Sequence, residues 1–95
     1  MLYLAACISL MAQNINGKLV DEAQQPLPYA NVVLQTLDSA FVTGTTTGEK
    51  GEFKLQKIVA GDYRLVISSI GYQSLYLSLQ GFERTADVGT LTLAD

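Results

Sequence analysis

The sequence contains no histidine and no tryptophan, and its only cysteine is Cys7. Without histidine, Ser-His-Asp and Cys-His nucleophile systems are excluded, and so is a histidine-based metal site. One cysteine cannot close an internal disulfide, so stability has to come from a packed core. Basic residues are also scarce: six Lys and Arg stand against nine Asp and Glu, a net charge of −3. No basic surplus is available to release counterions from a phosphate backbone, so nucleic acid is not an expected partner. Charged residues make up 16% of the 95 and apolar residues 48%. That balance excludes a disordered tail and fits one small domain.

Long apolar runs are absent except at the start. Residues 1–12 read MLYLAACISLMA and carry no charge. The stretch is too short to cross a bilayer as a helix, which takes about 20 apolar residues. It matches the apolar centre of a secretory signal, with cleavage after Ala12 leaving residues 13–95 as the domain. No Lys or Arg precedes the run, so the start is expected to be truncated or assigned too late. Two rival readings stay open. Leu4-Ala5-Ala6-Cys7 resembles a lipobox, which would make Cys7 a lipidated N-terminus. Alternatively, the stretch is an N-terminal apolar segment packed on the domain.

From Ile15 onward the period of hydrophobicity is two. Leu75, Leu77 and Leu79 alternate with Ser74, Tyr76 and Ser78, and Phe53 and Leu55 with Glu52, Lys54 and Gln56. Clusters such as 21–26, 37–39, 48–51, 60–62 and 81–84 punctuate these runs with turn residues. Strands are expected near 15–20, 30–37, 40–47, 52–57, 62–70, 73–80 and 88–93, with no amphipathic helix. Seven short strands predict a two-layer, antiparallel, all-β sandwich, because one sheet would leave an apolar face wet. The expected core is Ile15, Leu19, Val32, Leu34, Phe53, Leu55, Tyr63, Leu65, Ile67, Leu75, Leu77, Leu79 and Leu91.

A search for chemistry returns little. Residues 44–51, GTTTGEKG, look like a phosphate loop but have the wrong spacing, and a strand follows where a helix is required. They read as a hairpin loop. The carboxylates Asp21, Glu22, Asp38, Glu49, Glu52, Asp62, Glu83 and Asp87 fall mostly in turns, where solvated side chains are the expectation. Asp21 and Glu22 are too few ligands for calcium. No cofactor, metal or catalytic residue is therefore expected. Tyr72 and Tyr76, four residues apart on an expected strand, would share a face and form a candidate ligand surface.

The order of several short motifs is informative. Ile15-Asn16-Gly17-Lys18-Leu19-Val20-Asp21 is followed by Pro26-Leu27-Pro28-Tyr29-Ala30-Asn31-Val32. Then come Asp38-Ser39, Thr45-Thr46-Thr47, Gly51-Glu52-Phe53, Gly61-Asp62-Tyr63 and Ser69-Ile70-Gly71-Tyr72. In this series the chain resembles the carboxypeptidase regulatory-like domain, a transthyretin-like (prealbumin-like) sandwich, over residues 14–93. More narrowly, it is similar to the copy at the N-terminus of outer-membrane β-barrel and TonB-dependent receptor proteins of Bacteroidetes. Gly17, Pro26, Gly51, Phe53, Gly61, Tyr63, Gly71 and Tyr72 are then scaffold residues. Gly17 and Gly71 suit bulges or close strand approach, and Gly51 and Gly61 suit turns that swing Phe53 and Tyr63 inward. The family usually carries an acidic or amide residue where Gly48 stands, so a side-chain bond closing that turn is expected to be missing.

The resemblance implies a non-catalytic accessory or docking domain in the periplasm or on the periplasmic face of the outer membrane. Its partner would be a receptor plug, a barrel or another envelope protein. No plug or barrel sequence follows here, so transport is not carried over, and the chain is expected to be a receptor fragment or a free-standing copy. The Thr-rich strand with Phe41, Thr43 and Thr45 is the expected partner edge. The alternative is a small surface module binding carbohydrate or peptide through Tyr72 and Tyr76. Asp38-Ser39-Ala40 resembles a tripeptide that those bacteria O-glycosylate on exported proteins, which would place a glycan on Ser39.

Overall fold

The computed structural model describes residues 13–95. The readings of the N-terminal segment, including lipidation of Cys7, lie outside the described residues. Seven strands follow in chain order: β1 (Gln13–Val20), β2 (Asn31–Thr36), β3 (Phe41–Thr46), β4 (Glu52–Ile58), β5 (Gly61–Ser68), β6 (Leu75–Phe82) and β7 (Ala86–Thr92). They form a three-stranded sheet in the order β4-β1-β7 and a four-stranded sheet in the order β3-β2-β5-β6. The expected sandwich is present, and the period-two pattern is its cause: each strand sends alternate residues into the space between the sheets.

Two details differ from expectation. The pair β1–β7 runs parallel, whereas every other pair is antiparallel. Only the connections β2–β3 and β5–β6 are hairpins within one sheet; the others cross between sheets. Residues 47–51 are thus an inter-sheet crossing and not a hairpin loop. The β6–β7 crossing explains the parallel pair. Thr85 donates its hydroxyl to Gln13 Oε1 at 3.0 Å, so β7 starts beside the start of β1 and runs with it.

Nine of the expected core residues are buried, from Ile15 through Ile67. Leu75, Leu77, Leu79 and Leu91 are only half-buried against that core. They belong to β6 and β7, edge strands on the same side of the sandwich. On the opposite side β3 packs against β4, but among the described residues no comparable contact joins β6 to β7. Val20, Leu27, Ala30, Ile58, Phe82 and Leu93 complete the buried set. They sit at strand ends or in crossings, where alternation carries no signal.

Gly17 allows close approach, as expected. A Cβ there would lie 2.5 Å from Phe53 Cζ and 2.7 Å from Val88 Cγ2, so the glycine is the floor on which the Phe53 ring rests. Gly61 and Gly71 act differently from expectation. Gly61 is the first residue of β5, where a Cβ would only touch the Tyr63 ring at 3.4–3.5 Å, and Gly71 is a turn residue at φ 91° with open space around it. The crossing after β3 closes through backbone bonds, Gly48 N–H to the Glu52 carbonyl at 2.8 Å and Gly51 N–H to the Gly48 carbonyl at 2.9 Å. No side chain is needed at position 48 for that closure.

Thr47, 1% exposed, ties the proline-containing crossing to the end of β3. Its hydroxyl donates to the Leu27 carbonyl at 2.6 Å and accepts from Ala30 N–H at 2.9 Å. Its own amide bonds the Ala30 carbonyl at 3.0 Å. Thr47→Val keeps the shape and strands two buried backbone groups, so it is expected to cost about 2–3 kcal/mol. Urea denaturation of the two proteins reads the difference; a change below about 0.5 kcal/mol would show that the clamp is dispensable.

Candidate functional site

The four sheet edges are β3, β4, β6 and β7. Native edges are usually blunted by charge or bulges. Glu52, Lys54 and Lys57 protect β4, with Lys57 at φ 64° in an irregular register. Asp87 and a register shift protect β7, and Asp87 Oδ1 holds Gly89 N–H at 2.9 Å. The strand β3, FVTGTT, has no charge, and its register is interrupted only near Phe41.

The strand carrying Phe41, Thr43 and Thr45 is therefore an open edge of the four-stranded sheet. Thr43 and Thr45 are half-buried opposite Leu34 and Val32, whereas Phe41 is 69% exposed. Thr47 N–H donates to the carbonyl of Ala30, the residue just before β2. Alternation along an antiparallel ladder then turns the backbone of Thr45 and Thr43 toward β2, and that of Thr46 and Gly44 toward solvent. The outward donors are thus the neighbours of the threonines that the sequence singles out. The Phe41 ring lies over Gly44, where a Cβ would be 3.5 Å from Cε1. An open depression of about 590 Å³ adjoins it, floored by Val33 and rimmed by Asn31, Thr46 and Ser68.

Tyr72 and Tyr76 do not form one face. Tyr76 lies on β6 pointing out of the sandwich, 63% exposed, opposite Val66. Tyr72 precedes β6 in the 69–74 turn and packs against the core. The strand begins two residues later than the pattern suggests, so the alternation that would align the two rings does not extend to Tyr72.

Several aspartates hold nearby backbone amides or hydroxyls, in turns and at strand irregularities. Asp21 Oδ1 accepts from Ala23 and Gln25 N–H, both at 2.9 Å, and Asp62 Oδ1 accepts from Gly81 N–H at 2.8 Å. The Thr36 hydroxyl bonds Asp38 and holds that carboxyl below the ordinary 3.8. Next to it, Ser39 is exposed at φ 70°, and Arg64 Nη1 donates to its hydroxyl at 3.4 Å. Among the described residues, no group of three His, Cys, Asp or Glu could hold a metal ion. The sequence signal missed most clearly is this stapling role. An Asp two residues before a Gly, as in Asp87-Val88-Gly89, could have pointed to it.

A second open depression, of about 560 Å³, lies over the outer face of the three-stranded sheet. Lys18, Glu52, Lys54, Asp87 and Thr90 surround Asn16 there. Asn16 Oδ1 is buried without a hydrogen-bond partner. The charges there are mixed in sign and spread over three strands. Among the described residues, no helix is long and apolar enough to cross a membrane.

Comparison with known proteins agrees with this geometry. The fold is shared with BcpA*(D312A), the major pilin subunit of Bacillus cereus. That match has 20% identity and a TM-score of 0.71, and covers 86% of this chain and 30% of that one. It is shared with GBS52, the minor pilin of Streptococcus agalactiae, at 14% identity and TM-score 0.66, over 90% and 45% of the two chains. It is also shared with 3-chlorocatechol 1,2-dioxygenase from Rhodococcus opacus 1CP, at 14% identity and TM-score 0.66, over 88% and 59%. The chain thus spans less than two thirds of each of these structures, and the likeness is one of fold. No curated protein matches. The family model for the carboxypeptidase regulatory-like domain matches residues 14–93, from within β1 to just past β7, and the chain belongs to that family.

Proposed function

We propose that this sandwich is a non-catalytic docking domain of the cell envelope, associated with a TonB-dependent outer-membrane receptor and facing the periplasm. The observation that carries the reading is the open, uncharged edge β3 on a domain whose aspartates Asp21 and Asp62 are engaged by backbone amides. An extended partner segment can add to such an edge through main-chain bonds, with Phe41 and the Gly44 depression selecting its side chains. The resemblance to N-terminal domains of receptors supports a plug or barrel segment as that partner.

Thr46→Pro tests the edge. It removes an outward N–H at an exposed position and leaves the β2 ladder intact. The expected result is a folded domain with a thermal midpoint within about 3 °C of wild type, and loss of cross-linking to envelope protein in native cells. Undiminished cross-linking from a folded variant would remove β3 as the docking edge.

The carbohydrate or peptide module is the second reading. Tyr76 and Phe41, both exposed on the four-stranded sheet, favour it over a purely structural role. Tyr72 lies apart from them, in the turn before β6 and partly buried against the core.

A further inference from the structure

We infer that β6 is a self-pairing edge, through which two copies of this chain join their four-stranded sheets. The strand LYLSLQGF has eight residues without a charge or a proline, and among the described residues nothing pairs with its outer side. Its only blunting device is the register shift beyond Leu79, where Asp62 holds Gly81. A strand of this kind is a template for another chain.

Its inner row separates it from β3. Thr43 and Thr45 tolerate water, and their strand packs against β4. Leu75, Leu77 and Leu79 are half-buried on the side where β7 leaves the sandwich open. Burial of three partly wet leucines is a driving force that the β3 edge lacks.

The occupant that fits is a second copy, because the strand is complementary to itself. In an antiparallel pairing with a two-fold axis at Leu77, Leu75 faces Leu79 of the second copy, and Leu77 faces its equivalent. On the outer face Tyr76 meets Ser78. No pair sets like charges against each other. The backbone is ready for this register. Alternation carried from β3 through β2 and β5 turns the N–H and C=O groups of Tyr76 and Ser78 outward. Each Tyr76 then bonds Ser78 of the other copy, and Leu77 sits at the closer, non-bonded position. One strand pair buries less than the roughly 1,200 Å² of a stable complex. The dimer is therefore weak and concentration-dependent.

Sedimentation of the purified full chain over a concentration series tests the inference, with three variants. Ser78→Pro removes an outward donor, and Tyr76→Lys brings two cations near each other across the axis at an exposed position that the monomer tolerates. Each is expected to raise the dimer dissociation constant at least ~10-fold. Thr46→Pro, on the other edge, is expected to change it less than about twofold. A chain that stays monomeric up to about 1 mM, where even weak self-association registers, would overturn the inference. So would association that survives both β6 substitutions, because it would arise elsewhere in the chain. Docking to an envelope partner through β3 does not depend on this outcome, and Thr46→Pro separates the two failures.

Discussion

Alanine in place of Gly51 is expected to destabilise the domain by roughly 3 kcal/mol or more. Gly51 is buried at φ 79°, in the left-handed region where a Cβ is disfavoured. The added carbon would stand 2.3 Å from the Leu19 carbonyl oxygen. That oxygen cannot move away freely. It accepts from Leu27 N–H at 3.0 Å, and Leu19 N–H donates to the Gly51 carbonyl at 2.8 Å. Relief of the clash has to break or shift β1, the central strand of its sheet. Gly71→Ala is the control, because φ is 91° there but nothing lies within 4 Å of the Cβ position. It should lose only the conformational part, about 1–2 kcal/mol. Equal losses at the two sites in urea titrations would mean that the Leu19 contact is not limiting.

Phe53→Ala is expected to cost about 3–5 kcal/mol, a large share of the 5–15 kcal/mol available to a typical domain. The ring is 5% exposed and lies across Gly17 toward Val88, so it bridges all three strands of the smaller sheet. Glycine at position 17 contributes no side chain that could move into the space. Phe53→Leu, which keeps much of the volume, should cost less than about 1.5–2 kcal/mol. Chemical denaturation gives both numbers, and a loss below about 1 kcal/mol for alanine would show that the two sheets collapse around the gap.

Much of this architecture was legible from alternation. Phe53 and Leu55, or Leu65 and Ile67, have no other way to share a face than on strands, and they are buried together. Crossings were less legible, because local turn chemistry does not say whether the next strand stays in the same sheet. The loop at 47–51 has hairpin composition and nonetheless changes sheets, and Thr47, inside a run of polar threonines, becomes a buried clamp. The direction of β7 depends on where the β6–β7 crossing lands against Gln13, a contact more than 70 residues apart. Half-burial of Leu75, Leu77 and Leu79 was hidden for a similar reason. A period of two assigns a face, whereas strand order decides whether that face is covered.

The candidate site divides in the same way. An uncharged Thr-rich strand reads as an edge from composition, and β3 is one. Which backbone groups face outward requires the register, which shifts attention from Thr43 and Thr45 to Gly44 and Thr46. Tyr72 and Tyr76 fail as a pair because a turn separates them.

Fractionation of native cells producing the wild-type chain or Thr46→Pro, with cross-linking before lysis, tests the central claim most directly. A docking domain of the envelope predicts recovery with the outer membrane in a cross-linked adduct heavier than 10.3 kDa, and loss of that adduct in the proline variant. Recovery of both proteins in the cytoplasm, without an adduct, would contradict it.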